Sequence, residues 1–284
     1  MSELTQDMKT WRFWRHYGTK SLAVLGSTVA FIRIIFLFFP GAKFILGWFF
    51  FLVLVIASLI IALFLCWPRP IESAYSAPST KIKIVKGDFF EQGTNLIIGV
   101  CNTFDNEIPD VVSRGSLLGQ AIDKVYGGAW RDLDRDLFNA LGNKQTVEHI
   151  EKVGKREKYE IGTVVMVKNG GKKLFFSAYC DIDKSNKASS DIESVMKSLS
   201  TLWAEVSSKG NGEAVSITPW GGGLSRLSNI LPAQDAIRLI TLSFMFASRK
   251  QKVCDELRVV VKEDVFKKLD RLELQAFLSS LRGS

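Results

Sequence analysis

Residues 44–67 read FILGWFFFLVLVIASLIIALFLCW and hold no charged side chain. As a helix at ~1.5 Å per residue this run is roughly 36 Å long, enough to cross a hydrocarbon core about 30 Å thick. Trp48 and Trp67 stand toward its two ends, where amphipathic rings favour the headgroup level. The run predicts a transmembrane helix, and everything else in the chain has to be arranged around that span.

A second apolar run, residues 21–39, is interrupted only by Arg33, and Pro40, Gly41, Ala42 and Lys43 follow it as a tight turn. Two spans joined by a short turn predict a hairpin; the apolar content is too long for a cleaved signal peptide. Lys9, Arg12, Arg15 and Lys20 precede the first span and Arg69, Lys81, Lys83 and Lys86 follow the second, against Lys43 alone in the turn. The positive-inside rule then puts both termini, and the whole domain after the hairpin, in the cytoplasm. Arg33 has two readings: snorkelling toward the nearby headgroups, or lining a polar path between subunits, since a charge inside a span is costly. The expected layout is a cytoplasmic segment 1–20, a hairpin 21–67, a Ser/Ala/Pro-rich linker 68–80 and a folded domain 81–284.

Half of the net charge of +8 lies in the first 80 residues, so the folded domain is only mildly basic. That speaks against a nucleic-acid module, which concentrates Lys and Arg on one face, and suits a phosphate-bearing small molecule. The four cysteines, Cys66, Cys101, Cys180 and Cys254, have neither CxxC spacing nor a disulfide framework and read as free thiols of a reducing compartment. His16 and His149 have no second ligand nearby, so no metal site is expected.

Within the folded domain, residues 82–86 and 95–100 read as strands around a Gly87-Asp88-Phe89 turn, and residues 214–218 as a strand running into Pro219-Trp220-Gly221-Gly222-Gly223-Leu224-Ser225. Residues 163–167 and 173–178 form a hairpin across Asn169-Gly170-Gly171. Residues 257–261 are a further strand. Apolar spacing predicts helices over 117–126, capped by Ser116, and over 130–141, 192–206, 233–248 and 265–281. Residues 143–160 are highly charged and without period, a solvated connection. Strands alternating with helices, plus one hairpin, imply a three-layer α/β/α domain with a mixed sheet.

In open α/β sheets ligands sit beyond the carboxyl ends of the strands. Two polar lips are expected there. One holds Asp88 and the cluster Asn102, Thr103, Asp105 and Asn106; the other is the glycine loop 219–225, with residues 179–189 as a third wall. Asp88 could accept from an exocyclic amine such as that of adenine, or simply bind its own turn. Gly221, Gly222 and Gly223 could approach a pyrophosphate closely, or be a flexible turn. Neither GxxxxGK[ST] nor GxGxxG occurs, which removes the P-loop and Rossmann readings.

Lys86-Gly87-Asp88-Phe89, the strand running to Asn102 and the loop 219–225 resemble the macro domain, the ADP-ribose-binding fold. The resemblance implies a macro-like α/β/α domain in which Asp88 and the Phe89 backbone hold adenine and Asn102 faces the distal ribose. Gly221, Gly222, Gly223, Leu224 and Ser225 would then cradle phosphate. SRGSLLGQ at 113–120 stands where the family has its first glycine-rich loop, so Ser116 and Leu117 would border the ligand there. The apolar hairpin together with Asn102-Thr103-Phe104-Asp105 resembles, more narrowly, the membrane–macro effectors of type II Thoeris anti-phage defence.

That resemblance implies a bacterial inner-membrane protein with no cofactor and no catalytic residue. Its ligand would be an ADP-ribose derivative, histidine-ADP-ribose, supplied by a TIR-domain partner. Binding would drive homo-oligomerisation and membrane disruption. Asp105, Asn106, Asp181 and Asp183 would contact what extends beyond the distal ribose, and such acidic groups suit a positively charged extension. Two alternatives stay open: a membrane-anchored ADP-ribosyl hydrolase using Asp105 or Glu107 as base, and a passive reader of ADP-ribosylated proteins.

Overall fold

A computed structural model describes residues 3–38, 48–221, 227 and 230–282 of the chain. Two compact units make it up: residues 1–69 with 270–272, and residues 70–269 with 273–284.

The first unit holds α1 (Glu3–Asp7), α2 (Trp11–Phe38) and α3 (Trp48–Leu65). At 28 residues α2 is about 42 Å long at ~1.5 Å per residue, and it exposes Leu22, Phe31, Ile34, Leu37 and Phe38. Among the described residues it is the one helix long and apolar enough to cross a membrane. The 18 residues of α3 make about 27 Å, just short of a hydrocarbon core. Tyr17 Oη of α2 donates to the Leu59 carbonyl of α3 at 3.2 Å, so the two helices touch. The expected turn at 40–43 and the residues 44–47 lie outside the described residues. The expected boundary at residue 20 falls inside α2, where nothing but the tolerated Gly18 interrupts the helix. Arg12, Arg15 and Lys20 therefore ride on the same helix as the apolar run.

The second unit starts at once with β1 (Ile71–Tyr75), which corrects the linker expected over 68–80. Ile71, Ser73 and Tyr75 alternate inward, and β1 pairs antiparallel with β2 (Thr80–Lys86). Next come β3 (Asn95–Cys101), α4 (Leu117–Val125), α5 (Trp130–Leu141), β4 (Thr146–His149), β5 (Glu157–Tyr159), β6 (Val164–Asn169), β7 (Lys172–Ile182) and β8 (Ala188–Ser189). Then follow α6 (Ile192–Lys209), β9 (Val215–Ile217), α7 (Ala233–Lys250), β10 (Glu256–Val261), α8 (Glu263–Phe266) and α9 (Arg271–Ser280). The sheet order is β1-β2-β10-β9-β3-β7-β6, with β8 on β7. The five strands β2, β10, β9, β3 and β7 run parallel to one another, while β1 pairs antiparallel with β2, and β6 and β8 pair antiparallel with β7.

Both faces of this mixed sheet are covered, which is why β3 reads as an almost unbroken apolar run. Ile97 and Phe175 face one core with Leu199, Trp203, Ile237 and Phe244 of α6 and α7. Leu96, Ile98, Leu174 and Phe176 face the other with Ile122, Leu133 and Leu137 of α4 and α5. The result is the expected three-layer α/β/α arrangement.

Three local expectations change. The segment 143–160 is not a solvated connection: β4 and β5 pair as a ribbon, and Lys152 and Lys158 are buried. The α6 stripe is narrower than its apolar positions suggest, because Ile192 and Met196 are exposed while Ser198 takes the buried line and bonds the Ala178 carbonyl at 2.8 Å. The final helix is two helices, broken between α8 and α9.

Candidate functional site

A cavity of about 700 Å³ opens over the carboxyl ends of β3, β7, β9 and β10, where a parallel sheet leaves room between diverging connections. Its floor is Gly99–Cys101 and Tyr179–Cys180, one rim is the start of α4 with residues 111–118, and the other is Pro219, Trp220 and Gly221. Residues 179–189, expected as a third wall, supply Ile182, Asn186, Lys187 and Ala188.

Of the expected contacts, the cavity brings together Asp105, Ser116, Leu117 and Gly221. Gly222, Gly223, Leu224 and Ser225 lie outside the described residues. Ser116 caps α4: its Oγ accepts from the Gly119 amide at 3.0 Å and donates to the Ser113 carbonyl at 2.7 Å. That cap turns the start of α4 toward the cavity. Gly119 is required there, since a Cβ would sit 2.3 Å from the Ser113 carbonyl oxygen.

Asp88, Phe89, Asn102 and Asn106 do not line the cavity. Asp88 caps its own short helical turn, accepting from the Phe90 amide at 2.8 Å, and is paired with Lys124 of α4. Lys124 foremost, with the Phe90 amide, holds its carboxyl below the usual carboxylate range. It lies at the same sheet edge as the cavity, because the Gly87 amide donates to the carbonyl of Val261, a lining residue, at 3.1 Å. Phe89 is buried in the core edge-on to Phe90. Asn102 is buried and donates to Asp181 at 2.8 Å, and Asn106 donates to the Trp130 carbonyl at 3.0 Å.

Asp105 is the most heavily engaged side chain of the group. Its Oδ2 accepts from Lys152 Nζ at 2.7 Å and from Thr103 Oγ1 at 2.5 Å, and its Oδ1 from the Lys155 amide at 2.6 Å. Side-chain exposures of 0% for Lys152 and 5% for Asp105 make this a buried ion pair. The charged segment 150–156 is thus strapped onto Asp105. Gly154 approaches so closely that a Cβ there would be 2.5 Å from Asp105 Oδ1.

Sequence reasoning missed the aromatic wall. Tyr179 and Trp220 stack at 4.6 Å and 17°, and Gly99 makes room for them: a Cβ would lie 2.5 Å from Tyr179 Cε1 and 3.1 Å from Trp220 Nε1. The tryptophan in the glycine loop was the available signal. Trp220 Nε1 and Asn186 Oδ1 are buried and have no hydrogen-bond partner among the described residues. A donor and an acceptor held like this on residues that line a cavity are suited to a polar ligand. With Asp105 neutralised by Lys152, Lys187 and Lys262 are the charged groups left on the lining among the described residues, which favours an anion.

The family model described as Thoeris protein ThsA, Macro domain, matches residues 82–262. The Oceanobacillus iheyensis macrodomain with MES bound aligns at a TM-score of 0.50 and 12% identity, over 75% of this chain and 99% of that one. The same organism's macrodomain with ADP aligns at 0.48 and 11%, over 75% and 96%. At such identity the first of these bears on the fold alone. No curated protein matches the sequence.

Proposed function

Since the chain belongs to the Thoeris ThsA macro-domain family, we propose that it is a membrane-tethered sensor of an ADP-ribose-type nucleotide. The carrying observation is the cavity of about 700 Å³ at the strand carboxyl ends, lined by Lys187 and Lys262 with a buried Trp220 Nε1 that has no partner among the described residues. A diphosphate would lie against the lysines and the backbone at Gly221. An adenine passing Val261 would reach Asp88, once Lys124 shifts aside. The distal end of the ligand would meet Asn186, with Tyr179 and Trp220 as an apolar wall.

Histidine-ADP-ribose from a TIR-domain partner is the ligand we propose, with ligand-driven homo-oligomerisation and disruption of the bacterial inner membrane as the output. The membrane part of this reading has both apolar helices, α2 and α3, crossing as a hairpin with the sensor domain on the cytoplasmic side. Support comes from the basic residues at the start of α2, by the positive-inside rule. Residues 66–70 alone separate α3 from β1, and Pro68 and Pro70 stiffen them. Such a tether suits transmission of occupancy from one unit to the other. The ligand must prefer the associated state, or it shifts nothing.

Sensing is favoured over hydrolysis because Asp105, one of the two bases such a hydrolase could use, is held by three donors including Lys152. The test uses the full chain in dye-loaded liposomes given ADP-ribose or histidine-ADP-ribose. Dye release with the nucleotide recovered intact is expected. Stoichiometric nucleotide turnover without release would transfer the protein to the hydrolases.

A further inference from the structure

Cys101 ends β3 and Cys180 lies two residues before the end of β7, its parallel neighbour. In regular register Cys101 would face Tyr179, but the pairing shifts after Val100–Ala178, so the two cysteines become direct partners. Both are free, both line the cavity, and Cys180 itself is buried. The same irregularity frees Tyr179 to stack on Trp220. Neighbouring strands lie about 4.8 Å apart, inside the Cα range a disulfide spans.

We infer that Cys101 and Cys180 are a redox-modifiable dithiol in the cavity floor, converted by a peroxide to a reversible disulfide. The Cys180 hydrogen bond holds the Cys101 thiol below the ordinary thiol range, while that bond and burial push Cys180 up. Cys101, the less buried of the two, is the thiol that peroxide reaches first, and it attacks as the thiolate. Its sulfur attacks one peroxide oxygen, the O–O bond breaks, and hydroxide leaves and takes up a proton as water. The Cys101 sulfenic acid is then attacked by the Cys180 sulfur. The S–O bond breaks, a second water carries off the Cys180 proton, and the S–S bond forms. Two thiols lose two electrons and one hydrogen peroxide gains them. The inference holds whatever ligand the cavity takes. Cys254 is fully buried, and burial pushes its thiol up to about 12, so it should stay inert.

The test treats the full chain in detergent micelles with a small excess of hydrogen peroxide, then denatures and alkylates it. Before treatment all four cysteines should take the alkylating reagent. Afterwards Cys101 and Cys180 should be missing, joined in one peptide and restored by dithiothreitol. In Cys180→Ser, dimedone should trap a sulfenic acid at Cys101. Phenylarsine oxide, which needs two adjacent thiols, should shield the same pair in the unmodified protein, a readout that requires no variant. Four alkylated cysteines after peroxide, or a crosslink joining any other pair or two chains, would overturn the assignment.

Discussion

At the scale of single residues, the pairing of Asp105 with Lys152 is the contact with the most at stake. Breaking a buried ion pair from one side strands a charge and costs about 3–5 kcal/mol. Lys152→Met should therefore lower the unfolding free energy of the full chain in detergent by about that much, and Asp105→Leu with Lys152→Met should regain most of it. A loss under about 1 kcal/mol for the single variant would mean that Asp105 is not sealed from water. His149 makes a second prediction. Its Nδ1 is 2.6 Å from Glu157 and its Nε2 3.3 Å from Glu151, and Glu157 foremost raises its pKa above 6.5. A raised histidine pKa stabilises below the unfolded value and stops doing so as pH climbs through the folded one. The β4–β5 ribbon should loosen above pH 6.5, and Glu157→Gln should bring the NMR titration of His149 back toward 6.5. A wild-type midpoint at or below 6.5 would contradict the pairing. The first contact was not legible in the sequence, because Lys152 lies 47 positions from Asp105 and no local spacing encodes that meeting; the second depends on β4 and β5 pairing, which sets Glu157 opposite His149. Asp88 was half legible: the turn and the cap follow from Gly-Asp-Phe, whereas Lys124 reaches it only after α4 has folded back.

At the scale of elements, legibility followed periodicity. α5 and the start of α4 fall where apolar spacing and the Ser116 cap put them, since those signals lie within a few residues of one another. The strand register of β3 against β7, with its irregularity opposite Tyr179, comes from long-range pairing and had no sequence signature. Gly99 shows what hangs on that register. Gly99→Ala should force Tyr179 off Trp220, cost about 1–3 kcal/mol as overpacking, and alter the near-ultraviolet circular dichroism. An unchanged spectrum would mean that the stack does not depend on Gly99. Asp88→Ala removes both a cap and a partner for Lys124 and should cost about 0.5–2 kcal/mol. Asp88→Asn should keep the Phe90 cap while weakening the ion pair. If both variants bind ADP-ribose like the wild type, the adenine contact proposed for Asp88 is wrong.

At the scale of the whole molecule, the apolar runs were the plainest part of the sequence and the sheet topology the least. α2 could be read because a charge-poor run needs no tertiary context, while its start at Trp11, ten residues before the apolar run, could not. Arg33, on α2 five residues before its end and exposed, bears on the proposed output. Arg33→Leu removes a charge whose insertion costs about 2.5–3.5 kcal/mol, so membrane insertion should be kept. Preserved ligand-triggered dye release would then assign Arg33 to headgroup contact, and lost release to a polar path. The cavity, and the nucleotide proposed for it, can be tested without any of the membrane behaviour. The deciding measurement is a calorimetric titration of the full chain in detergent micelles with ADP-ribose, run beside Gly221→Val. Gly221 has a φ of +100° and lines the cavity, so any side chain there is strained at the proposed diphosphate position. Saturable binding at one site per chain, weakened at least tenfold in the variant (about 1.4 kcal/mol), is the expected result; no heat from the wild type, or equal affinity in both proteins, would contradict the assignment of this cavity to the nucleotide.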